Sequence, residues 1–80
     1  MKDQLRRFIV EEVLNRPDFE LSDGDDLLSS GLIDSLGIIS LVNFVEEETN
    51  LDVPAEDVTL ENFVSIAAIE SYLHERRERR

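Results

Sequence analysis

The sequence predicts an all-α fold, a small bundle of four helices, three long and one short, with a long first loop. Three observations carry that prediction. Apolar residues recur at helical spacing in three separate segments. Proline, glycine and asparagine punctuate the stretches between them. No segment alternates for long enough to build a sheet. Eighty residues make one domain with one modest core, and no internal repeat divides them.

In the first segment Leu5, Phe8, Ile9 and Val13 recur at i, i+3, i+4 and i+8, with Arg6, Arg7, Glu11 and Glu12 between them. This predicts an amphipathic helix from Lys2 or Asp3 to Leu14 or Asn15, with Asp3 as its cap. Pro17 bars its continuation and disfavours helix at Arg16. From Asn15 to Asp34 the pattern gives way to a loop, with turns at Asp23-Gly24 and Ser29-Ser30-Gly31 and one short helical turn around Asp26 to Ser29. Phe19, Leu21, Leu27, Leu28, Leu32 and Ile33 pin that loop across the core. A loop this long in so small a domain is either functional or ordered by packing. Its acidic part does not fit a calcium-binding EF-hand. With Gly24 as the loop's turn glycine, Phe19 and Leu21 fall where oxygen ligands are required. Asp23, Asp25 and Asp26 read as solvated carboxylates, with a weak divalent-ion site as the less common alternative.

The second helix is predicted over Ser35 to Thr49. Asp34 is its N-cap, and its carboxylate meets the positive end of the helix dipole. Ile33 before the cap and Ile38 inside it have the spacing of a hydrophobic staple. Asn50 is the left-handed terminator. Ile38, Leu41, Val42, Phe44 and Val45 form an inward stripe, and Ser40, Asn43 and Glu47 point outward. Leu36 and Ile39 fall to the side, either as a small exposed patch, the favoured reading, or beneath the first loop. Glu46-Glu47-Glu48 runs against the dipole at the helix end, and broken local rules of this kind cluster at functional sites. Leu51 to Pro54 is extended, and Glu56-Asp57 is an acidic turn. Thr59 caps a short helix through Phe63, with Val58 and Phe63 directed inward. Ser65 caps the last helix, whose stripe is Ile66, Ile69, Tyr72 and Leu73. Ala67 and Ala68 allow a neighbouring helix to approach closely. His74 and the arginines suit its C-terminal dipole. The domain is placed over residues 1–75, and residues 76–80 read as a charged, fraying tail.

Composition excludes several functions. The net charge is −11, and no Lys or Arg lies between Arg16 and Arg76. Such a surface repels phosphate backbones, which argues against nucleic-acid binding. It either serves solubility or steers a basic protein partner, and charge alone does not choose between these. No apolar run is long enough to span a bilayer. Charged residues follow Met1 directly, so no secretory signal is expected; the absence of cysteine agrees with a cytoplasmic location, and a net charge this far from zero with a monomer. A serine nucleophile needs a base and an oxyanion site. The only histidine is His74 in the last helix, and Lys2 is the only lysine. There is no glycine-rich phosphate loop and no Cys/His metal set. The chain is not expected to be an enzyme, which leaves a binding module or a protein that is itself modified.

Gly31-Leu32-Ile33-Asp34-Ser35-Leu36, followed by an apolar helix ending in Glu46-Glu47-Glu48, resembles the acyl and peptidyl carrier proteins. The resemblance extends from Phe8 to Leu73. It includes the long first loop, Val53-Pro54 after the second helix, the short third helix, and the final helix with Ala-Ala-Ile and Tyr-Leu. It implies a stand-alone carrier with an acyl-carrier-like bundle. Ser35 would receive a covalent 4′-phosphopantetheine arm from coenzyme A, whose thiol holds cargo as a thioester. Asp34 would assist the modifying phosphopantetheinyl transferase through that enzyme's metal ion. Leu36, Ile39, Glu46 and Glu47 match the positions that partners read. Those partners would be the transferase, a ligase loading acyl or aminoacyl cargo, and downstream acyl-processing enzymes. Carriers of fatty-acid synthesis have acidic residues two and five positions after the serine, where this chain has Gly37 and Ser40. It also has Asn43 where methionine is frequent. These departures point away from a housekeeping fatty-acid carrier and toward an aminoacyl or specialised one.

Overall fold

The computed structural model describes residues 1–78. Four α-helices follow one another: α1 (Lys2–Phe8), α2 (Ser35–Thr49), α3 (Leu60–Phe63) and α4 (Ile66–Glu78). There is no strand among the described residues. The all-α bundle with three long helical segments and one short one is as the spacing predicts.

The first helical segment is not α-helical throughout. After Phe8 it widens into a π-helical turn over Ile9–Val13, closed by the Leu14 N–H donating to Ile9 O at 2.8 Å. Leu5 and Ile9 are buried as predicted, and Val10, outside the predicted stripe, joins them. Asn15 adopts φ 54° and turns the chain out of the helix two residues before Pro17. Asp3 does not cap the helix. Met1 occupies that position, and the Asp3 carboxylate instead accepts from Arg6 Nη1 at 2.9 Å. An arginine one turn on competes successfully for a side chain that would otherwise reach the helix-start amides.

The first loop is ordered by its packing. Leu21, Leu27 and Ile33 are buried, and Phe19, Leu28 and Leu32 pack against the core. Arg6 Nε donates to Leu21 O at 3.0 Å, and its guanidinium pairs with Asp23. The loop backbone also joins the start of the last helix. Leu27 N–H donates to Val64 O at 2.7 Å, and Ala67 N–H to Asp23 O at 2.9 Å. The expected helical turn at Asp26 to Ser29 is absent. Asp26 Oδ1 accepts from the N–H groups of Leu28 and Ser29 as a helix cap would, but Gly31 at φ 78° turns the chain before a helical turn is completed.

Helix α2 has the predicted bounds. Asp34 is extended at φ −96°, and its Oδ1 accepts from Gly37 N–H at 2.8 Å. Asn50 closes the helix at φ 58°, its N–H donating to Glu46 O. Leu41 and Val45 are fully buried, with Ile38, Val42 and Phe44 half-buried beside them. Beyond α2 the extended stretch buries Leu51 and Val53, and a 3-10 turn over Ala55–Asp57 follows. Thr59 Oγ1 caps α3 through Asn62 N–H, and Ser65 Oγ caps α4 through Ala68 N–H. All four residues of the predicted α4 stripe are buried. Tyr72 OH donates to Asp57 Oδ2 at 2.6 Å and holds the 3-10 turn against α4. The last helix runs on to Glu78, past the boundary expected at residue 75. Arg76 is no part of a fraying tail, because its Nη2 donates to Asp52 O at 2.6 Å. Arg79 and Arg80 lie outside the described residues.

Candidate functional site

The site is built at the junction of the first loop and α2. Gly31 turns the loop at φ 78°, and Ile33 anchors it in the core. Asp34 then caps the helix, so Ser35 becomes the first helical residue, with its side chain exposed. Among the described residues nothing hydrogen-bonds Ser35 Oγ, and nothing accepts from the N–H groups of Ser35 or Leu36. An accessible hydroxyl therefore stands beside two free backbone donors at the positive end of a fifteen-residue helix. Asp34 uses only Oδ1 in capping, and its second oxygen is open to solvent.

Two hollows flank this point. On the helix face shared by Ser35, Ile39 and Val42 runs an apolar groove of about 240 Å³, closed on the far side by Val53, Ala55 and Val58. On the other side Glu12, Val13, Leu32, Asp34 and Ser40 line a more polar hollow of about 350 Å³. Gly37 separates loop and helices at the base of the second. It is buried, and a Cβ there would stand 2.7 Å from Ile33 Cγ2 and 3.0 Å from Val13 Cγ1. The missing acidic side chain at this position is therefore a matter of packing: Gly37 does not face a partner.

The residues expected to meet partners divide into two groups. Leu36 is 74% exposed and Ile39 57%, and the first loop covers neither. Glu47 is exposed too, whereas Glu46 is half-buried and its Oε2 accepts from Val53 N–H at 2.8 Å. Leu60, 56% exposed at the start of α3, joins the apolar residues at the surface and was not singled out from the sequence. Its only signal there is that no stripe claims it. His74 lies in a different hollow with Lys2, Ala67 and Glu70, away from the start of α2. Among the described residues no cluster of three or more His, Asp or Glu is placed to hold a metal ion. The loop carboxylates are already engaged: Asp23 with Arg6 and Lys2, Asp25 with Ser22 N–H, and Asp26 with Leu28 and Ser29.

An exposed hydroxyl beside free helix-start amides suits a phosphodiester, since those donors and the dipole both favour an anion. The family model for a phosphopantetheine attachment site matches residues 7–73, from within α1 to within α4. The chain belongs to this family, that of the acyl and peptidyl carrier proteins, whose domains are sites of covalent 4′-phosphopantetheine attachment and are carriers rather than catalysts. Such carriers are served by a transferase and by acyl-processing enzymes. No curated protein matches the chain. No helix among the described residues is long and apolar enough to cross a membrane.

Proposed function

We propose that this protein is a discrete acyl carrier protein whose 4′-phosphopantetheine arm is attached to Ser35. The observation that carries the reading is the position of Ser35: exposed, first in α2, and directly after a capping aspartate. Ser35 Oγ gives up its proton and forms the phosphodiester, and the rest of coenzyme A leaves as adenosine 3′,5′-bisphosphate. The N–H groups of Ser35 and Leu36 face the new anion. The free oxygen of Asp34 assists by meeting the transferase's metal ion. When bound, the arm supplies a terminal thiol that holds cargo as a thioester.

Leu36, Ile39, Glu46 and Glu47 are the partner-contact residues of this reading, with Leu60 beside them. Glu46 contributes through the oxygen that Val53 leaves free. Ser40 and Asn43, exposed and neutral on α2, support a specialised pathway in place of a housekeeping one. The protein works as a cytoplasmic monomer. Phe63 is fully buried and Phe8 stacks on Phe44, so the core is filled and cargo lies at the surface. Aminoacyl cargo is the alternative within the carrier class, and a non-carrier adaptor using the acidic α2 surface is the alternative outside it.

Intact-mass analysis after incubation with coenzyme A and a broad-specificity transferase tests the reading. The expected result is a single phosphopantetheine adduct on the native chain and none on Ser35→Ala. An unchanged native mass overturns it in favour of the adaptor, and the same gain in the variant overturns Ser35 as the attachment point. Loading the modified protein with a panel of acyl and amino-acid ligases then identifies the cargo class.

A further inference from the structure

Phe44 lies nine positions after Ser35 in α2, and at about 100° per residue it projects from the opposite side of the helix. There its ring stacks on Phe8, with centroids 4.3 Å apart and planes inclined by 13°. Both rings are half-buried and floor a hollow of about 250 Å³ between α1 and α2. Glu11, Glu12 and Glu48, all exposed, stand around it, and Arg7 is the one cation on its rim. Arg7 reaches Glu11 at 4.0 Å, which leaves two carboxylates without a cation at the rim. Along the first helical segment, from Gln4 to Glu12, this groove runs for about 12 Å, two turns of a docked helix.

We propose that this α1–α2 groove is a second docking surface, and that its occupant is a basic amphipathic helix of a partner protein. The floor is aromatic and the rim acidic, so the fitting segment has aliphatic or aromatic anchors flanked by Lys or Arg. Arginine suits it best, since its planar guanidinium stacks on an exposed ring face while pairing with a carboxylate. Because the groove faces away from Ser35, a partner held there leaves the hydroxyl and the Leu36, Ile39 and Leu60 surface uncovered. The carrier could then stay tethered to one protein while a second enzyme works at Ser35. The surface does not depend on Ser35 being modified.

Titrating the ¹⁵N-labelled protein with a synthetic helix of about twelve residues, Lys and Arg on one face and Leu and Phe on the other, tests this. Expected are saturable shifts at Phe8, Glu11, Glu12 and Phe44, the same in Ser35→Ala, and transferase modification that proceeds with the peptide bound. The double variant Glu12→Gln, Glu48→Gln, at two exposed positions, is expected to bind roughly fivefold more weakly. Equal binding by a scrambled peptide of the same composition, or shifts confined to Leu36, Ile39 and Leu60, overturns the proposal. Concentration-dependent shifts at Phe8 and Phe44 without peptide would assign the groove to a second copy of the chain and overturn it as well.

Discussion

Gly37 is the smallest residue at the most crowded point of the site. A helix-start glycine would ordinarily gain from replacement by alanine, by up to about 1 kcal/mol of propensity. Here the added methyl group meets Ile33 Cγ2 at 2.7 Å, on a buried β-branched side chain with little rotamer freedom. Gly37→Ala is therefore expected to destabilise the fold by about 1–2 kcal/mol, and Gly37→Asp by more. Urea unfolding midpoints measure both. Restoring the acidic residue found in fatty-acid carriers would thus cost stability without presenting a carboxylate to a partner. Asn50 behaves differently, because at φ 58° it already holds a conformation that glycine adopts freely. Asn50→Gly should be tolerated, whereas Asn50→Ala should lose about 1 kcal/mol in the same measurement.

Helix α2 depends on Asp34 for its start, and two substitutions separate what that residue does. Asparagine caps as well as aspartate but carries no charge. Asp34→Asn is expected to keep the unfolding midpoint and to slow transferase modification. Asp34→Ala is expected to lose about 1 kcal/mol of stability and to be modified slowly as well. Circular dichroism melts and a modification time course read the two effects. The first loop depends in the same way on Arg6, which donates to Leu21 O and pairs with Asp23 and Asp3. Arg6→Met keeps the aliphatic stem and removes the clamp. Hydrogen exchange should then quicken at the Leu27 and Ala67 amides, which join the loop to the start of α4, while the Leu41 and Val45 amides in α2 stay protected.

At the scale of the whole molecule, the contact of Tyr72 with Asp57 carries a pH signature. Burial first, then the hydrogen bond and negative charge of Asp57, push the Tyr72 phenol from 10.0 up to about 12. The folded state thus holds the phenol proton more tightly than the unfolded chain. The resulting stability is fully present below about pH 10 and is lost as the pH rises toward 12. Tyr72→Phe should remove this alkaline decline and lower stability at neutral pH by about 1 kcal/mol, the net worth of one hydrogen bond. Unfolding midpoints collected between pH 8 and 12 would show both.

Much of this molecule was legible in order along the chain. Asp34, Thr59 and Ser65 cap the helices they precede, Asn50 ends α2, and the α4 stripe is buried residue for residue. The exposure of Leu36 and Ile39 also follows from the surplus of apolar residues around α2. Each of these is decided within a turn or two of chain, by periodicity and by side chains reaching neighbouring amides. What the tertiary structure alone decided involves groups remote in sequence. Gly37 is closed in by Val13, Arg76 is drawn to Asp52 O, Arg6 clamps the first loop, and Phe8 meets Phe44 to floor a groove. No local pattern encodes such pairs, because they exist only once the core has brought distant segments together. Ser35 belongs to both accounts. Local rules place its hydroxyl first in α2, and packing of the loop through Ile33 and Gly37 holds that helix start where the hydroxyl remains open to solvent.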